Sequence, residues 1–128
     1  MREILFRGKR VDNGTWAYGD LLHCDDEMEI DSESLGENGG YIIPETVGQY
    51  TGLCDRNRKK IFEGDIVETK YGRLCEVVWY SSNRYQSWGL KPLETKHRYP
   101  DAYDVWASNN LEVIGNVFDN PDFLEVKQ

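Results

Sequence analysis

Between residues 47 and 80 the chain reads VGQYTGLCDRNRKKIFEGDIVETKYGRLCEVVWY, and every β-prone run in it soon meets a corner. Val47 to Leu53 suits an extended strand, and Asp55-Arg56-Asn57-Arg58-Lys59 supplies turn formers. Ile61-Phe62 is apolar, Gly64-Asp65 breaks the run, and Ile66-Val67 opens another strand. Tyr71-Gly72 turns again, and Cys75 to Tyr80 is dominated by residues that favour strands. Corners spaced this closely leave little room for helix. They suit short antiparallel strands, in the rhythm of a small barrel. Gly64 can adopt a conformation that a β-carbon forbids, and Asp65 can accept bonds from backbone amides as the chain enters the strand. Both are read as structural turn residues.

The flanking segments extend the pattern. Ile4 to Arg7 alternates like a strand, Asp12-Asn13-Gly14 follows, and TWAYGDLL resumes a β-prone run with Trp16 and Tyr18 on one face. Asn13-Gly14 is a strong turn signal, because both residues tolerate positive φ. Residues 3 to 22 are therefore expected to form a β-hairpin. Tyr41 to Ile43 and Val47 to Thr51 predict two strands separated by Pro44, and Tyr85 to Leu90 predicts another that carries Trp88. Leu111 to Val117 predicts a last strand, with Gly115 at a bulge or close crossing. Asn120-Pro121 looks like a cap leading a short helix through Phe123 and Leu124. Residues 91 to 110 receive no assignment. The expected fold is mostly antiparallel β, with an SH3-like small barrel, an added N-terminal β-hairpin and little helix. Residues 1–46 would form the hairpin and an acidic loop region, and 47–128 the barrel with its short C-terminal helix, packed as one unit.

A chain of 128 residues with four Trp, eight Tyr and four Phe has enough large rings to build a core. Its net charge of −8 is concentrated locally: residues 25 to 37 hold seven acids and no cation, and without them −8 + 7 leaves −1. Seven carboxylates so close together repel one another, so this stretch is expected in solvent, with Met28 and Ile30 forming at most a short edge strand. The overall balance argues against a duplex DNA binder, which normally carries a basic footprint. Three cysteines without CxxC spacing suit reduced thiols rather than a secreted disulfide framework. MREILFRGKR is too polar for a signal-peptide core, and no run approaches the ~20 apolar residues of a membrane span. A cytoplasmic protein without a membrane segment is expected.

Candidate sites compete with plainer readings. Arg56, Arg58, Lys59 and Lys60 could contact phosphates, with nearby aromatics stacking exposed bases; the plainer reading is a solvated hairpin turn. His23 and Cys24 are neighbours on a strand and point to opposite faces, which disfavours a thiol–imidazole pair. A pair between His97 and Cys54 or Cys75 is a weaker alternative, since buried cysteine usually acts as a small hydrophobe. The five Cys and His residues are too scattered for zinc. An EF-hand loop placed on Asp31 fails at Leu35 and Ile42, where oxygen ligands belong. No metal, cofactor or catalytic group is expected. Trp88 and Trp106 are candidates for an oligomer interface, where aromatics are enriched.

Three motifs together resemble the YopX family of phage and prophage proteins: FRGKRVDNGTWAYGDLL at 6 to 22, VGQYTGLCDRNRKKIFEGDIVE at 47 to 68, and LEVIGNVFDNPDFLE at 111 to 125. The resemblance implies a mostly β fold with an SH3-like barrel, a home in a bacterial cytoplasm, and a homo-oligomer. It implies no reaction. One position departs from the pattern: the family usually has glycine in the turn before the apolar dipeptide, and here Arg58 stands. Either the turn needs no positive φ there, or Asn57 takes that role. The function expected is that of a non-enzymatic accessory protein that self-associates and binds a phage or host protein. The alternative is a nucleic-acid-binding module using the turn at 56–60 and barrel aromatics. A thiol enzyme or hydrolase whose site assembles only in the fold is the third.

Overall fold

The computed structural model describes residues 4–24, 27–31, 40–69, 72–81, 86–93 and 111–122. Contacts divide the chain into two compact units, Met1–Gly52 and Leu53–Gln128. Five strands begin in the first: β1 (Phe6–Lys9), β2 (Trp16–Cys24), β3 (Glu27–Asp31), β4 (Gly40–Ile42) and β5 (Gly48–Cys54). The second adds β6 (Lys60–Phe62), β7 (Asp65–Glu68), β8 (Leu74–Ser81), β9 (Gln86–Pro92) and β10 (Glu112–Asn116). One 3-10 turn at Pro44–Thr46 fills the place that Pro44 marks in the sequence. The pairings are antiparallel, in sheets ordered β4-β3-β2-β1-β5-β6 and β10-β7-β8-β9.

In the first unit the expected hairpin forms. Phe6 to Lys9 pair with Gly19 to Trp16. Gly14 takes φ 72°, while Asn13 works through its side chain, whose Oδ1 accepts the N–H and hydroxyl of Thr15 at 3.0 and 2.7 Å. Strand alternation puts Gly8, Ala17, Ile30 and Ile42 on one face, where Ala17, Ile30 and Ile42 form a buried cluster. Phe6, Leu21, Met28 and Val47 pack around it. Gly8 is needed for this closeness, because a β-carbon there would lie 2.7 Å from Ile42 Cδ1. Thr46 joins the 3-10 turn to β1: its Oγ1 accepts the Lys9 N–H at 2.9 Å and donates to the Ile43 carbonyl at 2.6 Å.

Part of the acidic stretch departs from expectation. Glu27 to Asp31 form β3, which pairs with both β2 and β4 and so is not an edge. Ile30 is fully buried, at 0% exposure. The alternation of acids with Met28 and Ile30 is what allows it: the apolar pair enters the core and the carboxylates take the other face. That buried isoleucine contributes about 1.5–3 kcal/mol, enough to hold an acidic strand in the middle of a sheet.

The second unit has the strand order of a Greek key, with β7, β8 and β9 in a meander and β10 beside β7. Val67, Cys75, Val77 and Leu90 fall on one face by register and form the core with Ile61 and Leu111. Trp88 and Val113 pack against it. The ladder slips between Val113 and Gly115, the bulge that Gly115 suggests. The SH3-like strand sequence is thus present, and among the described residues its ring is not closed by hydrogen bonds. The short helix expected after Asn120-Pro121 begins at Asp122 and falls otherwise outside the described residues.

Candidate functional site

The basic run turns out to be a hairpin loop built around a buried acid. Asp55 is only 7% exposed. Its N–H donates to the Lys59 carbonyl at 2.8 Å, and its own carbonyl accepts the Arg58 N–H at 2.9 Å. This is the bonding of a three-residue hairpin loop, Arg56-Asn57-Arg58, whose last residue must be left-handed. Arg58 indeed has φ 66°, the one non-glycine residue with positive φ among the described residues. Neither alternative weighed from the sequence holds, since the turn does need positive φ at this position and Asn57 does not supply it.

The Asp55 carboxylate holds the loop from inside. Its Oδ1 accepts the N–H groups of Asn57 and Lys59 at 2.8 and 2.9 Å. Its Oδ2 accepts the Val113 N–H at 2.9 Å, from β10, 58 residues further along the chain. On the same stretch the Arg56 N–H donates to the Leu111 carbonyl at 2.9 Å, and the Arg56 guanidinium pairs with the Glu112 carboxylate. Three consecutive residues of the last strand region therefore grip the turn. Burial alone would raise the Asp55 pKa; the amides of Val113, Lys59 and Asn57, with the charge of Lys59, outweigh it and hold the carboxyl below the usual range.

The side chains of Arg56, Arg58, Lys59 and Lys60 are all exposed. The amides of Arg56, Asn57, Arg58 and Lys59 are all consumed internally. The loop between β7 and β8 repeats the same bonding: the Thr69 N–H donates to the Arg73 carbonyl, and the Gly72 N–H donates to the Thr69 carbonyl, each at 2.9 Å. There the left-handed position is Gly72, at φ 81°. Two loops of one design thus carry glycine in one case and arginine in the other.

The other residues singled out from sequence lie apart from this loop. Gly64, at φ 91°, donates its N–H to the Val77 carbonyl and accepts the Val117 N–H, both at 2.9 Å. Asp65, 2% exposed, accepts the Phe62 N–H at 2.8 Å. Trp88 is partly buried and meets Trp79 across the strand pair in a T-shaped contact, centroids 4.9 Å apart; Trp79 is 44% exposed. Trp106 and His97 lie outside the described residues. Cys75 belongs to the core, Cys54 is exposed, and His23 is exposed on β2. Among the described residues no three His, Cys, Asp or Glu side chains gather to hold a metal ion, and no helix is long and apolar enough to cross a membrane. Burial raises the Glu76 pKa, with Glu63 adding to the effect and Lys91 opposing it.

Sequence reading found the cations and missed the acid that organises them. An Asp two residues before Asn57 is the local signal for a carboxylate that caps a turn. Its bond to Val113 has no local signal at all.

An antiparallel β protein with a Greek-key sheet and a locked basic hairpin is the class these features define. The chain belongs to the YopX family: the family model, described as YopX protein, matches residues 5–125. Among solved structures it is similar to the crystal structure of protein EF1440 from Enterococcus faecalis, with a TM-score of 0.57 and 20% identity, covering 97% of this chain and 99% of that one. At that identity the likeness concerns the fold. No curated protein matches the chain.

Proposed function

We propose that this protein works by binding rather than catalysis, as an accessory protein of a phage or prophage in a bacterial cytoplasm that self-associates and engages another protein. Trp79 carries the reading. It lies 44% exposed in the T-shaped pair with Trp88, and among the described residues β9 is an edge strand of its sheet. Interfaces concentrate such rings in their buried centres. Covering the open part of the indole removes on the order of 100 Å² from water, worth about 2–3 kcal/mol per copy. A two-fold contact in which each copy covers the other's Trp79 would bury both rings.

Sedimentation equilibrium at micromolar concentration tests this. The wild type is expected to be a dimer or larger, and Trp79→Ser to weaken association by about a thousandfold or more when both copies lose a ring. A wild type that sediments as a monomer would remove self-association from the function.

A further inference from the structure

The hairpin loop at 56–58 has a feature its folding role does not use. Its twin between β7 and β8 meets the left-handed requirement with Gly72, which adopts such a φ at no steric cost. Here the same position holds Arg58, and the loop's described bond to it is made by its main-chain N–H alone. The fold therefore needs the conformation at 58 and not the guanidinium. A side chain kept against backbone preference points to use.

The surroundings say what it would meet. Residues 55 to 60 carry four cations and one acid, a formal +3, and Glu112 pairs with Arg56. The net negative charge lies mainly in the other unit: the first has 4 cations and 11 acids, net −7, and the second, which holds the loop, 11 and 12, net −1. Asp55 holds the loop rigid, so its cations are presented without a large ordering cost. The loop amides are already bonded within the protein, so none remains to cradle a single phosphate in a backbone nest. Recognition must come from spaced side chains, which suits a succession of phosphates better than one small anion.

We infer that the hairpin loop is a preformed contact for the sugar–phosphate backbone of a nucleic acid, made by Arg58, Lys59 and Lys60 and held in shape by Asp55. This contact is separate from Trp79 and does not rest on self-association. It carries no base readout, so affinity is modest, independent of sequence and strongly dependent on salt.

The test is fluorescence anisotropy with a labelled mixed-sequence single strand and its duplex, titrated from low to physiological salt. With three phosphate contacts, log K should fall against log salt with a slope of about −2 on single strands and about −3 on duplex. Arg58→Gln and Lys59→Gln should each reduce the slope by about 0.7–0.9, while Arg58→Lys should keep it. Thermal melts of each variant establish that folding is intact, as expected for exposed side chains. Absence of binding at low salt overturns the inference. So does binding that the Arg58→Gln, Lys59→Gln double variant leaves unchanged, and so does salt-sensitive self-association without nucleic-acid binding, which would assign the cations to a second copy of the chain.

Discussion

Replacing Arg58 by glycine should make the protein more stable, although it removes a side chain and adds none. At φ 66° the β-carbon of Arg58 crowds the following carbonyl, a cost of roughly 1–2 kcal/mol for an L-residue. Glycine removes that cost. It also loosens the unfolded chain, which takes back about 0.5–1 kcal/mol. The loop bond at this position comes from the main-chain N–H to the Asp55 carbonyl, so it survives the substitution. The balance is a gain of about 0.5–1 kcal/mol. With an unfolding entropy of about 2.1 cal/mol/K per residue, that raises Tm by about 2–4 °C if the 128 residues melt together. Differential scanning calorimetry reads this directly. Asn57→Gly is the control: Asn57 lacks positive φ, so glycine there brings only entropy and should lower stability by about 0.5–1 kcal/mol. A fall in Tm for Arg58→Gly, or a rise for Asn57→Gly, would refute the assignment of strain to residue 58.

Asp55→Asn keeps the shape of the side chain but turns one oxygen into a donor, which must then face either the Val113 N–H or the N–H groups of Asn57 and Lys59. A loss of about 2 kcal/mol in urea unfolding is expected. The lowered pKa of Asp55 also contributes stability that is full above its ordinary value of 3.8 and is lost as pH falls through the folded value. Wild type should therefore lose more stability in acid than Asp55→Asn, by comparison of melts above and below that pH. Glu76 has the opposite sign: its raised pKa means the folded state holds the proton more tightly, so stability falls as pH rises above 4.5. Glu76→Gln should remove that fall and be the more stable protein at neutral pH. Gly8→Ala would press a methyl into Ile42 and cost about 1–3 kcal/mol, measurable by denaturant midpoint.

Features with local causes were legible before any coordinates. Asn13-Gly14 marked the first hairpin, Gly64-Asp65 marked the corner before β7, and Cys75 to Tyr80 marked β8, because turn chemistry and strand preference act over a few residues. At Glu27 to Asp31 alternation outweighs charge: Ile30 and Met28 decide the place of β3, and their effect depends on Leu21, Ala17 and Ile42 arriving from other strands. Gly8 gave no warning, since its need to lack a side chain comes from Ile42, which lies far along the chain. The basic turn was seen as cations on a loop. What makes it a definite object is Asp55, and one of the three bonds its carboxylate accepts comes from β10, 58 residues away. A turn reads locally, whereas a lock between a turn and a distant strand does not.

Asp55 binds the basic turn and β10 into a single unit, and native-state hydrogen exchange at single-residue resolution tests that directly. The amides of Asn57, Lys59 and Val113, which all donate to Asp55, should be protected in the wild type and should lose protection together in Asp55→Asn. Asn57 and Lys59 exchanging as freely as an unstructured peptide while Val113 stays protected would contradict it.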